Sequence, residues 1–139
     1  MCASLGGLEG ESVCEYLMTD LPMFTRLQPV LFVADLEAEV GFYAALGFTI
    51  EHREPGFVGL SCGDILFGLQ HREGARFGEA QPVIWQIGTD DIGAVHERCR
   101  QTGLPVLAGP QLQAWGEWLM TLTSPNGYRV VIEGERREP

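Results

Sequence analysis

The same order of helix and strand signals occurs twice along this chain. The stretch Asp35–Gly47 begins with a helix-capping aspartate and ends with a glycine twelve residues later, and Asp91–Gly103 has the same length and the same ends. An offset of 56 residues superimposes the two stretches and places Leu36 on Ile92. This internal repeat constrains the fold strongly, because both halves must adopt related structures.

The predicted elements on either side of the two helices also match. In the first half, apolar and alternating runs predict strands over 27–34, 48–54, 57–62 and 64–70. In the second half, a helix capped by Asp90 or Asp91 lies among strands predicted over 82–88, 104–107, 117–123 and 128–134. Turn glycines Gly63 and Gly127 give a second anchor for the alignment. The sequence therefore predicts two tandem β-α-β-β-β units, 24–70 and 82–134.

The segments outside these units lack a regular pattern. Residues 1–23 carry four acids and no base, and we expect an N-terminal extension that is an arm or a poorly ordered tail. In that case the chain could truly begin at Met23, because the patterned sequence follows directly after it. Residues 135–139 form a polar tail, and the 139 residues suffice for one domain, 24–134, with its own core.

The charge and the cysteines narrow the possible partners. Nineteen acids against nine bases, all arginine, give a net charge of -10, which disfavours nucleic acid and is compatible with a cationic small molecule or with solubility alone. The sequence has no run of 18 apolar residues, so no membrane-spanning helix is predicted, and no secretory signal is expected. Four scattered cysteines without CxxC spacing indicate free thiols, which is typical of a cytoplasmic protein.

Five short motifs carry a family resemblance. They are Val33-Ala-Asp35-Leu36, Phe42-Tyr43, Leu46-Gly47-Phe48, Trp115-Gly116 and Ser124-Pro-Asn-Gly127. Their order and spacing resemble the vicinal oxygen chelate superfamily, which includes glyoxalase I, bleomycin-resistance proteins, fosfomycin-resistance enzymes and extradiol dioxygenases. The last motif departs from the more usual Asp-Pro-Asp-Gly. The resemblance implies an α+β fold whose two units form a curved mixed sheet around a groove, and it implies a homodimer.

The resemblance also marks four strand positions where metal-using members carry ligands. By spacing, these positions hold Gln28, Phe67, Ile84 and Val131. A register shifted by two residues gives Val30, Leu69, Gln86 and Glu133. Neither set supplies the three or four convergent N or O donors that a divalent ion needs. His52, His71 and His96 have no convergent partners, so we expect no metal and no cofactor.

Strand alternation predicts the composition of the groove, because successive side chains point to opposite faces. The apolar residues expected there are Phe32, Phe67, Ile84 and Val131, and the polar ones are Gln28, Gln86, Arg129 and Glu133. The side-chain amides of the two glutamines hydrogen-bond either a ligand or other groups of the protein, and Arg129 with Glu133 could simply be an ion pair. Trp115 and Trp118 are candidate stacking surfaces, although Trp115 could instead pack at an interface and Trp118 has no clear facing. Trp85 is predicted to lie in the core.

Three functions fit these features. The favoured one is a metal-free protein that binds an amphipathic small molecule in an apolar groove, with antibiotic sequestration or resistance as the version that the resemblance implies. The alternative is a vicinal oxygen chelate enzyme, a glyoxalase-like lyase or isomerase or a dioxygenase, that uses Gln28 and Glu133, with Glu133 as the base. The third is an interaction domain whose groove is filled by its own aromatic side chains.

Overall fold

The structure of the chain is a computed structural model that describes residues 23–75 and 83–137. The first unit contains β1 (Val30–Val33), α1 (Leu36–Leu46), β2 (Thr49–Glu54), β3 (Phe57–Cys62) and β4 (Ile65–His71). The second contains β5 (Trp85–Thr89), α2 (Ile92–Thr102), β6 (Val106–Leu112), β7 (Trp118–Thr123) and β8 (Arg129–Gly134). This order confirms the α+β fold of two tandem β-α-β-β-β units. The predicted N-terminal extension, apart from Met23, lies outside the described residues, as do residues 76–82 and the last two residues of the predicted polar tail.

Each unit builds its own four-stranded mixed sheet. The strand orders are β1-β4-β3-β2 and β5-β8-β7-β6, so the two sheets have the same topology. The pairs β1–β4 and β5–β8 are parallel, and the remaining pairs are antiparallel. Neither described helix is long and apolar enough to cross a membrane.

The helix ends follow the sequence signals. Asp35 caps α1 by accepting a hydrogen bond from the Ala38 amide at 3.1 Å, and Asp91 caps α2 by accepting one from Gly93 at 3.1 Å. Asp91, rather than Asp90, is thus the second cap. Gly47 ends α1 with a φ of 114°, a left-handed conformation that favours glycine.

The extent of β6 differs from the prediction. The sequence predicts a strand over 104–107, but β6 runs from Val106 to Leu112. Pro110, within β6, has no amide proton to donate to a ladder. Since β6 lies at the edge of its sheet and its pairing with β7 is irregular around Ala108–Gln111, the missing donor costs no sheet hydrogen bond.

The facing predicted for β4 is wrong. Phe67, expected in the groove, is 5% exposed and lies in the core. The reason is the turn length: β3–β4 closes with Cys62 opposite Ile65, whereas β7–β8 closes with Thr123 opposite Arg129 and has a longer loop. The glycine anchors in the two turns are therefore not equivalent.

Strand pairing gives the corrected register. Val30 lies opposite Gly68 in the first sheet, and Gln86, its counterpart 56 residues later, lies opposite Val131 in the second. Gly68, not Phe67, is therefore the counterpart of Val131. The groove face of β4 carries Leu66, Gly68 and Gln70.

Aromatic side chains join the two units in one core. The Phe67 ring lies 4.9 Å from Tyr43, 5.4 Å from Phe48 and 5.7 Å from Trp85 of the second unit, measured between ring centroids. The predicted core position of Trp85 is confirmed, since it packs against the buried cluster. Such edge-on and tilted ring pairs each add about 0.5–1.5 kcal/mol beyond area burial.

A buried polar network also connects the units. Asn126, in the loop between β7 and β8, accepts a hydrogen bond from the Asp35 amide at 2.8 Å and donates to the Asp35 carbonyl at 2.9 Å. Its side-chain amide and its backbone N–H both donate to Oε1 of Glu39 on α1, at 2.7 and 3.0 Å. Burial raises the pKa of Glu39 above its usual 4.5, although hydrogen bonds from Ser124 and Asn126 oppose this.

Asn126→Ala should destabilise the protein by about 2–4 kcal/mol, because it removes three side-chain hydrogen bonds and leaves buried groups without partners. Urea denaturation followed by circular dichroism measures the free energy of unfolding. Thr123→Ala, at an exposed neighbouring position, is the control and should change it by less than about 0.5 kcal/mol. Equal losses in the two variants would contradict the role of Asn126.

Glu39→Gln should change how stability depends on pH, because the amide keeps the acceptor for Asn126 and removes the titration. The folded-state pKa of Glu39 is raised, so its stabilising contribution is complete below pH 4.5 and is lost as the pH rises through the folded-state pKa. The stability of Glu39→Gln relative to the unaltered protein should therefore increase as the pH rises above 4.5. Thermal melts of both proteins across this range provide the measurement. A constant difference would refute the shift.

Candidate functional site

Each sheet has a cavity on the face that its helix leaves uncovered. The first-sheet cavity, of about 550 Å³, is lined by residues of the first unit alone, among them Gln28, Phe57, Ser61 and Leu66. Gln28 lies just before β1, and Leu66 lies on β4. Phe57 and Ser61 reach the cavity because Val58 and Leu60 turn to the core and leave the alternate positions of β3 on the open face. The cavity is thus an open trough on the first sheet.

The floor of the first-sheet cavity is aromatic, and its rim is charged. Phe57 lies 6.2 Å from the His52 ring, and Arg26 and Asp64 also line the cavity. Glu51 accepts a 2.6 Å hydrogen bond from the Ser61 hydroxyl, which holds its carboxylate at the rim. An aromatic floor with a few polar groups at the edge is typical of a site for a small organic molecule.

The second-sheet cavity is acidic. It measures about 580 Å³, and its lining includes Asp90, Glu117, Glu133 and Glu135 together with glycine backbone. The Arg137 guanidinium lies 3.9 Å from Asp90, at the exposed edge. Four carboxylates around one concave surface produce a negative potential that favours cations over anions.

The structure divides the predicted polar residues between these cavities. Gln28 lines the first-sheet cavity and Glu133 lines the second, so a single chain does not bring them together as the enzyme alternative requires. Gln86 and Val131 are opposite each other on the open face of the second sheet, as the alternation predicts. Ile84, just before β5, is exposed.

Two further predicted residues lie on open faces. Phe32 faces away from the buried Leu31 and Val33, and the Arg72 guanidinium lies 4.1 Å from the centre of its ring. Arg129 is half-buried on the face that Val131 and Glu133 share. The facing of these residues agrees with strand alternation, although neither lines the two cavities described above.

The two candidate tryptophans have different environments. Trp118 shares the face of the buried Met120 and packs against the core, with the Arg136 guanidinium 4.9 Å from its ring centre, so it does not lie on the open face. Trp115 is 63% exposed at the tip of the β6–β7 hairpin and donates a 3.2 Å hydrogen bond to Glu117. Only Trp115, of this pair, is available for stacking.

Several lining residues were not predicted from the sequence. Phe57 and Ser61 line the first-sheet cavity, and Glu117 and Glu135 line the second. The alternation of β3, with Val58 and Leu60 apolar, already indicated an open face at Phe57 and Ser61. The acidic lining has no such signal, because it combines residues from strand ends and connecting loops.

A sequence model of the Glyoxalase/Bleomycin resistance protein/Dioxygenase superfamily matches residues 25–132, which is most of the chain. The chain belongs to this superfamily. Its two-unit architecture and strand order agree with that assignment.

Known members of the superfamily show what this chain is similar to. A bleomycin resistance protein from Klebsiella pneumoniae is 27% identical over 116 residues, which cover 76% of this chain and 88% of that protein. The structure of a bleomycin resistance determinant encoded on the transposon Tn5 has a TM-score of 0.68 at 24% identity, covering 82% of this chain and all of that one. A lactoylglutathione lyase from Agrobacterium tumefaciens has a TM-score of 0.64 at 20% identity, covering 83% of this chain and 96% of that one.

The residues at the superfamily's metal positions do not fit a metal ion. With the corrected register, the open-face positions on β4 are Leu66, Gly68 and Gln70, of which only Gln70 has a donor, a neutral amide. Gln28 and Glu133 do have donors but line separate cavities. Within 23–75 and 83–137, no three His, Cys, Asp or Glu side chains are grouped as a metal site requires.

Trp115→Phe should remove the most quenchable part of the tryptophan fluorescence of this superfamily member, because Trp85 and Trp118 are partly buried. The remaining emission should move to shorter wavelength. Acrylamide quenching measures both effects, and Trp118→Phe, which should retain the quenchable component, is the control. Weak quenching of the unaltered protein would contradict an exposed Trp115 and would indicate that a partner covers it.

Proposed function

We propose that this chain binds a planar, cationic, amphipathic small molecule without a metal and sequesters it unchanged, as an antibiotic-resistance protein does. The observation that carries the proposal is the pairing of one aromatic and one acidic cavity on the open sheet faces, while the superfamily's metal positions carry no histidine and only one carboxylate, Glu133. An aromatic floor suits a flat ring, and carboxylates suit a cationic group. One ligand with both features would match both surfaces.

The relatives support an antibiotic as the ligand. The similar Klebsiella pneumoniae protein is named a bleomycin resistance protein, and a structure with a TM-score of 0.67 is a bleomycin-binding protein in complex with bleomycin. Bleomycin is therefore the first ligand to test. The net charge of -10 agrees with a cationic ligand and disfavours nucleic acid.

The proposed working form is a homodimer in the cytoplasm. Both cavities are open and each is lined by one unit only, so a second copy could cover or complete them. Phe24 and Leu27, each 84% exposed, and Trp115 offer apolar surface for such contacts. Cys62 and Cys99 are free thiols, which supports a reducing compartment.

Isothermal titration with metal-free bleomycin tests the proposal. The unaltered protein should bind the drug after treatment with EDTA, and mass spectrometry should recover the drug unmodified. The double variant Glu117→Gln/Glu133→Gln should bind about two- to fivefold more weakly, and this difference should shrink at high salt. Glu73→Gln, an exposed substitution distant in sequence from the cavity lining, is the matched control and should bind like the unaltered protein.

The metal content distinguishes this proposal from a metal enzyme. Untagged protein incubated with Ni, Zn, Fe(II), Mn and Mg and then desalted should retain almost no metal in elemental mass spectrometry. About one tightly held ion per cavity would contradict metal-free binding. Absence of bleomycin binding at micromolar drug would contradict this ligand.

A further inference from the structure

Two glycines lie opposite each other on the open face of the first sheet. Gly59 of β3 and Gly68 of β4 are cross-strand partners, and both share the face of Phe57, since Val58 and Leu69 turn to the core. Glycine inside a strand is destabilising relative to alanine, and it often marks a place where another group approaches the backbone closely. The two positions differ in whether such a group is present.

At Gly68, the approaching group is the Phe57 ring. A Cβ atom added to Gly68 would lie 2.6 Å from Cζ and 2.8 Å from Cε1 of Phe57, closer than side chains in proteins pack. The same Cβ would lie 3.5 Å from Nε2 of Gln28. The ring and the amide that line the cavity thus meet in the space that a side chain at position 68 would fill.

At Gly59, no group occupies the space that an added Cβ atom would need. An added Cβ would lie 3.6 Å from the Cβ of His52 and 4.0 Å from Cε2 of Phe57, which are ordinary van der Waals distances. The two glycines are on the same face of the same strand pair, so they provide a matched comparison.

We propose that Gly68 is the positioning residue of the first-sheet cavity. Because it has no side chain, the Phe57 ring reaches across β4 towards the Gln28 amide, and these two groups form the floor on which a flat ring of the ligand stacks. A side chain at position 68 pushes the Phe57 ring up into the cavity and separates it from Gln28. This floor selects the part of the ligand that is a planar ring with a hydrogen-bonding edge. The inference refines the proposed function and rests on it.

Bleomycin titration of Gly68→Ala and Gly59→Ala tests the inference. Gly68→Ala should weaken binding about two- to tenfold, the range for loss of an aromatic contact, and Gly59→Ala, at a position that also lines the cavity but meets only ordinary van der Waals contacts, should weaken it less. In a Phe57→Leu background, adding Gly68→Ala should cause no further loss, because Gly68 acts through the ring. Equal binding by Gly68→Ala and the unaltered protein would overturn the inference, and so would an undiminished effect in the Phe57→Leu background.

A readout without ligand separates this inference from the proposed function. The Phe57 ring should displace the NMR shifts of the Gly68 α protons, and Phe57→Leu should abolish that displacement while changing Gly59 less. Identical Gly68 shifts in the two proteins would overturn the positioning role. If the unaltered protein binds no bleomycin, the proposed ligand fails, and the α-proton shifts alone decide on Gly68. If Gly68→Ala does not fold, Phe57→Leu provides the test by itself. Unchanged bleomycin binding by Phe57→Leu would then refute the role of the Phe57 ring in the cavity floor.

Discussion

The amide of Asn126 holds the two units in one arrangement. It pairs with both backbone groups of Asp35 at the entry to α1, and it donates a hydrogen bond to Oε1 of the buried Glu39 one turn later. The Tyr128 hydroxyl adds a 2.9 Å hydrogen bond to the Phe32 carbonyl across the same junction. Because these bonds are directional and partly buried, they fix the angle between the units more tightly than the shared aromatic core could do alone.

Each sheet packs one face against the shared core and leaves its other face open. The faces differ chemically although their topologies match. The first offers a ring and an amide with mixed charges at the rim, and the second offers mainly carboxylates. Duplication of one unit thus produced two similar scaffolds whose surfaces have diverged, which suits the recognition of a ligand with chemically distinct ends.

The repeat, the caps and the facing of most strands were predictable because they depend on local periodicity and on glycine or aspartate at helix ends. The position of Phe67 was not, since aligning the turn glycines placed β4 one residue out of register, and a shift of one residue reverses the facing of every side chain in a strand. The predicted β6 strand was too short, and its longer observed extent is compatible with Pro110 because β6 lies at the edge of its sheet. The face of β7 on which Trp118 lies was ambiguous from the sequence, because this strand is apolar on both faces. It became clear only from the pairing of Trp118 with Gly134.

The asymmetry of the two hairpins has a consequence for how such a duplicated chain evolves. The β3–β4 hairpin turns between Cys62 and Ile65, too tightly to present a buried side chain to a neighbouring helix. The β7–β8 loop has the room, and it carries the asparagine that reaches the other unit. The two halves are therefore no longer interchangeable: a tandem of two first units would retain both sheets and lose the link between them, so selection must preserve the order of the halves as well as their sequences.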